Sequence, residues 1–168
     1  MQTNEETPKR PKVKARARKI IYSLIVILAV FIIGVRVSPY RMIIGESMIP
    51  TLNHYQIVKM DRTIGVPQRG DIVLVHLEDG GGYVIKRIVG MPLETVTIKP
   101  YGSYGEVWID GERIEEPYLK EIGTVAAKDF ECLLNTDRYF LMGDNRGNSM
   151  DSREFGPVHF DRIIGVIR

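Results

Sequence analysis

The chain has 168 residues, 44% of them apolar and 26% charged, which suits one folded domain with an appendage and excludes a chain disordered throughout. Its formal charge of +2 hides a division: residues 1–19 hold Lys9, Arg10, Lys12, Lys14, Arg16, Arg18 and Lys19 against Glu5 and Glu6, a balance of +5 that leaves −3 on the rest. Cys132 stands alone, so an internal disulfide and a Cys-rich zinc site are both excluded, and it reads as a small buried apolar residue.

The basic tail, residues 1–19, runs into IIYSLIVILAVFIIGV over residues 20–35. As a helix that run spans about 24 Å, somewhat less than a hydrocarbon core of about 30 Å, and Lys19 and Arg36 can snorkel to the two interfaces. Its apolar residues cover every face, which argues against a core helix. No small-x-small exit follows near 34–40, which argues against a cleavable leader. A single membrane helix over 20–37 is therefore expected. The excess of Lys and Arg before it places the N-terminus in the cytoplasm and residues 38–168 outside. Basic runs also bind polyanions, but next to a membrane helix topology accounts for this one, so the bilayer is an expected partner and nucleic acid is not.

Beyond the helix the pattern turns to short β-rich runs: 55–60, 71–77, 83–89, 94–99, 106–109, 138–142 and the closing RIIGVIR. Gly, Pro and Asp separate them, and Asp110-Gly111 is a two-residue hairpin signal. Gly80 to Gly82 reads as a hairpin tip. No strand alternates with a long amphipathic helix, so the fold class is mainly β, an antiparallel sheet domain without repeats, and 119–137 reads as an irregular excursion.

Three segments carry candidate chemistry. In GESMIPTL (45–52) Ser47 stands in a Pro-stiffened turn; Ile49 occupies the place where a Gly-x-Ser-x-Gly elbow needs its second glycine, so that reading fails. In YVIKRIVGMP (83–92) Lys86 and Arg87 lie within an apolar strand, where cations are rarely buried without a purpose or partner. Alternation puts Val84, Lys86 and Ile88 on one face and Arg87 on the other, so one cation is expected to reach solvent and the other not. The third segment, GDNRGNSMDSREFGPV (143–158), crowds polar groups of fixed geometry between two apolar strands, the composition of a scaffold around a site. His54, His76 and His159 belong to no shared motif and read as surface or packing residues. No metal-ligand spacing is present, and no cofactor is expected.

Together and in this order the three segments resemble the type I signal peptidases, in the short Gram-positive-like form. The resemblance rests on Gly45 to Leu52, on Lys86, Arg87, Val89, Gly90 and Pro92, and on Gly143 to Arg153. It implies a serine endopeptidase in the cell membrane that removes signal peptides from secretory pre-proteins after a small-x-small motif. By that likeness Ser47 is the nucleophile and Lys86 the general base, which must be neutral although a free lysine titrates near about 10.4; burial supplies the downward shift. Ser149 would orient the Lys86 amine, Asp151 and Arg153 would form a supporting ion pair, and Asp144 and Arg146 would be structural. The oxyanion would rest on the Ser47 backbone N–H, because Gly45 stands where some relatives carry a serine. Ile44, Met48, Tyr83, Val84 and Ile85 would border the groove for an extended substrate. Relatives often continue Pro-Gly-Asp where this chain has Pro92-Leu93-Glu94, and a different turn is expected there because Leu resists φ > 0. The Met42–Ile44 run would touch the membrane surface. Two rivals remain on sequence: a Ser/Lys peptidase restricted to pilin-like precursors, and a non-catalytic assembly factor on the same scaffold.

Overall fold

The computed structural model describes residues 12–63, 65–78, 80–101, 104–119 and 129–168. Lys9 and Arg10 of the basic run, and 120–128 of the irregular excursion, lie outside the described residues. The chain divides into two compact units, 1–38 and 39–168.

In the first unit, helix α1 runs from Lys12 to Val37. It includes eight described residues before the apolar run. The cause is local: Lys, Ala and Arg are strong helix formers. Residues Arg16–Val35 are long and apolar enough to cross a membrane, and none of that stretch is buried.

The second unit holds two antiparallel sheets. The larger contains β1 (Tyr40–Met42), β2 (Ile57–Asp61), β3 (Ile72–His76), β4 (Tyr83–Gly90), β9 (Arg138–Met142), β10 (Val158–His159) and β11 (Ile163–Ile167), in the order β1-β2-β11-β3-β4-β9-β10. The smaller joins β5 (Thr95–Tyr101), β6 (Tyr104–Ile109), β7 (Glu112–Arg113) and β8 (Phe130–Leu133) as β7-β6-β5-β8. Asp110 (φ +50°) and Gly111 (φ +85°) turn the β6–β7 hairpin, as two central residues at φ > 0 require. Gly82 closes the β3–β4 hairpin by accepting from Leu77 N.

Alternation along the strands distributes the core. On β4 and β9, Ile88 and Leu141 enter a cluster with Val73, Val75, Ile163 and Val166. Their neighbours Val89, Phe140 and Met142 join Val96, Ile98, Val107 and Leu134, locking the two sheets together. A third cluster of Ile43, Met48, Leu52, Val58, Met60 and Ile167 lies under the loop carrying Ser47. The sheets meet closely at Gly90, where a Cβ would come within 2.5 Å of Val96 Cγ2 and 2.9 Å of Phe140 Cβ.

The turn after β4 corrects one expectation. Leu93 does take the left-handed conformation, at φ +71°. Glu94 compensates: its carboxylate accepts from Met91 N at 2.8 Å and from Arg69 Nη2 at 2.5 Å, while its carbonyl accepts from Leu134 N at 2.9 Å. The exposed Leu93 side chain meets solvent and not core.

Candidate active site

Ser47 sits half-buried at the start of a tight turn. Met48 and Leu52 anchor that turn in the third core cluster. From outside, Asn145 ties it down, its N–H donating to Ser47 O at 2.9 Å and its amide to Glu46 O at 3.2 Å. Gly45 precedes it at φ +117°, a region that disfavours any side chain, and gives its N–H to His54 Nδ1 at 2.9 Å. The Ser47 N–H donates to no protein acceptor among the described residues, which leaves it available to a ligand.

Lys86 reaches this serine from the middle of β4, with Nζ 2.7 Å from Ser47 Oγ. The lysine is 4% exposed. Its pKa lies below the ordinary lysine value chiefly because burial penalises the charged form. Asp151 opposes that shift, Arg153 adds to it and Asp144 opposes it.

Arg87 is buried as well, at 8% exposure, so the expectation that one cation of the pair reaches solvent is wrong. The reason is a partner 57 residues away: Asp144 accepts from Arg87 Nε at 2.8 Å and Nη2 at 2.6 Å. Thr51 donates to the same carboxylate at 2.5 Å, and Arg87 Nη1 donates to Gly70 O at 2.7 Å. Burial alone would lower the Arg87 pKa, but Asp144 outweighs it and the net direction is upward. Bidentate geometry is what makes an ion pair tolerable at this depth.

In the 143–153 loop, Asp151 binds Arg153 through two bonds of 2.8 and 2.9 Å and accepts from Gly143 N at 3.0 Å. Burial pushes the Asp151 carboxyl up, yet Arg153, Gly143 N–H and the nearby Ser149 hydroxyl hold it below the usual carboxylate value. Asp151 also caps the short helix α2 (Ser152–Phe155), and Ser152 Oγ accepts from Leu141 N. Arg146 is buried against Glu116, a partner outside the three motifs.

Ser149 lies where the third loop meets the nucleophile turn. Its Oγ is buried and makes no hydrogen bond of good geometry, so the expected bond to Lys86 is not formed. The hydroxyl adjoins Gly143, where an added Cβ would collide with Ser149 Oγ and come within 2.6 Å of Ser47 O. Glycine at 143 is thus required for the third loop to close on the nucleophile turn.

Around the pair, Ile44 is 77% and Tyr83 67% exposed, and Val84 and Ile85 are half-buried. Met48, at 2% exposure, lies below them in the core. Ile43 is likewise buried, so only Met42 and Ile44 of the apolar run face outward. Strand β4 pairs with β3 along Tyr83–Arg87, whereas its ladder with β9 begins at Arg87 opposite Met142. Among the described residues, Tyr83–Lys86 therefore has a strand partner on one edge only.

Sequence reading missed Thr51, Asn145, Glu116 and Tyr118. Of these only Thr51 and Asn145 stood within a motif that pointed at the site. Cys132 is half-buried against the second cluster, and His159 pairs with Asp137 at 2.7 Å. Among the described residues no group of three or more His, Cys, Asp or Glu is placed to hold a metal.

The family model "Signal peptidase, peptidase S26" matches residues 16–168. Signal peptidase I U of Bacillus subtilis (strain 168) is 34% identical over an alignment covering 92% of this chain and 88% of the relative. Signal peptidase I T of the same organism is 37% identical, with 84% and 77% covered. A crystal structure of a signal peptidase I from Enterococcus faecalis V583 superposes with a TM-score of 0.52 at 32% identity, covering 63% of this chain and 100% of that one. Fold and relatives together define a serine peptidase. More narrowly, the chain belongs to the signal peptidase family, peptidase S26.

Proposed function

We propose that this chain is a membrane-anchored endopeptidase that cuts signal peptides from secretory pre-proteins, with Ser47 as nucleophile and Lys86 as general base. The observation that carries the reading is the 2.7 Å separation of Lys86 Nζ and Ser47 Oγ at an amine that burial inclines toward neutrality. A neutral Lys86 takes the Ser47 proton as Oγ attacks the scissile carbonyl, and returns it to the leaving amine as the acyl-enzyme forms. The Ser47 N–H serves the oxyanion. A water activated by the same amine then releases the acyl group. Arg87–Asp144 and Arg153–Asp151 hold the two loops, with Arg146 seating Gly143. Ser149, whose hydroxyl is buried where the third loop meets the nucleophile turn, orients the amine.

A precursor binds in extended form on the open edge of Tyr83–Lys86, bordered by Ile44, and small side chains are selected where the pockets are shallow. Helix α1 anchors the chain in the bilayer with its basic end in the cytoplasm, so residues 39–168 work outside. The test is cleavage in detergent of a pre-protein with an Ala-x-Ala exit by the full chain, by Ser47→Ala and by Lys86→Ala. Cutting after the second Ala by the unmodified chain alone is expected; equal cutting by either variant refutes the pair.

A further inference from the structure

The three motifs supply Ser47, Lys86 and the 143–153 loop, but the two buried guanidiniums beside them are gripped from a fourth place in the chain. Glu116 and Tyr118 follow the β6–β7 hairpin, outside every motif. Glu116 meets Arg146 with both carboxylate oxygens, Nη1 to Oε2 at 3.0 Å and Nη2 to Oε1, with side chains only 7% and 3% exposed. The Tyr118 hydroxyl donates to Glu116 Oε1 at 2.9 Å. The Tyr118 ring lies 4.0 Å from Arg87 Cζ, in cation–π contact. Burial, then the neighbouring Glu116, push the phenol well above its ordinary pKa, so it stays protonated and keeps donating.

Each guanidinium leads to one half of the reacting pair. Arg87 is the next residue after Lys86 on β4, and through Asp144 it also holds Thr51 of the nucleophile turn. Arg146 Nε donates to Gly143 O at 3.0 Å, and Gly143 packs against Ser47 O and Ser149. One short segment thus reaches the base through Arg87 and the nucleophile through Arg146. Proton transfer between Ser47 and Lys86 depends on their separation to within about 0.5 Å, and removing one partner of a buried charge pair leaves the other charge uncompensated, so what it holds must shift.

We propose that Glu116 and Tyr118 are positioning residues for the Ser47–Lys86 pair, a clamp on Arg87 and Arg146 that fixes the distance over which the proton moves. The inference rests on the reading of Ser47 and Lys86 given above. Its test uses the full chain in detergent and the Ala-x-Ala precursor, with kcat normalised to the folded fraction from circular dichroism. Glu116→Gln and Tyr118→Leu should each lower kcat about ten-fold with KM little changed. Tyr118→Phe, which keeps the ring over Arg87, should retain most activity. A kcat per folded molecule equal to that of the unmodified chain in Tyr118→Leu, whatever its melting temperature, would reduce the clamp to a stabilising contact. Should Glu116→Gln not fold, the comparison of Tyr118→Leu with Tyr118→Phe still decides the matter. Ser47→Ala and Lys86→Ala are run alongside: if they stay active the reading of the pair fails, and if they are dead while the clamp variants are normal only this inference fails.

Discussion

A lysine that must be neutral is a lysine the fold would gain by losing. Lys86 has its pKa lowered by burial, so between its folded pKa and the ordinary amine value the unfolded chain holds one proton more than the native one. Stability therefore rises with pH across that window and levels off above it. Lys86→Met should remove this slope, raise stability at neutral pH by about 1 kcal/mol and abolish peptidase activity, a trade of stability against function. Thermal melts of both forms from about pH 6 to about pH 9 check it; a variant that melts lower at every pH would show that Lys86 packs without penalty. The run VIKRIV marked Lys86 as a cation inside an apolar strand that needs a reason, and its proposed role as base came from the family resemblance. Its neighbour Arg87 misled, since alternation fixes only which face a residue takes, and a buried carboxylate 57 positions away can make either face dry.

At the scale of elements, the strands were readable where apolar alternation ran five residues or longer, as in β3, β4, β9 and β11. The three-residue β1, the two-residue β10 and β8 at the end of the excursion were not, because so few residues carry no period. Helix α2 exists through its Asp151 cap more than through propensity. The clamp residues Glu116 and Tyr118 had no signal at all: their partners Arg146 and Arg87 lie 30 or more positions away, and only folding brings them together. The contact between the two sheets yields a sharper expectation. Gly90→Ala drives a methyl into Val96, Leu134 and Phe140, and the strands must part to admit it. A loss of about 2 kcal/mol is expected, read as a lower thermal midpoint in detergent, with activity of the folded fraction preserved. An unchanged midpoint would mean that the sheets slide freely on one another.

For the molecule as a whole, the proposed orientation, with the Lys and Arg that precede the apolar helix on the cytoplasmic side, can be measured. With a tag at each end, protease added to right-side-out vesicles should remove the C-terminal tag and spare the N-terminal one; the reverse pattern overturns the topology. The pairing order β1-β2-β11-β3 was not legible in the sequence, because the last strand inserts between early ones. The half-open edge of β4 has its own consequence. Four residues, Tyr83–Lys86, lack a second strand neighbour among the described residues, which is room for about 13 Å of guest backbone. A helix, or a strand already spoken for in a finished domain, has no free amides to offer such a berth. With a precursor bound there as proposed, selection begins with whether a segment is unfolded, before any side chain is read, and a folded protein drifting past is expected to remain uncut however many alanines it carries.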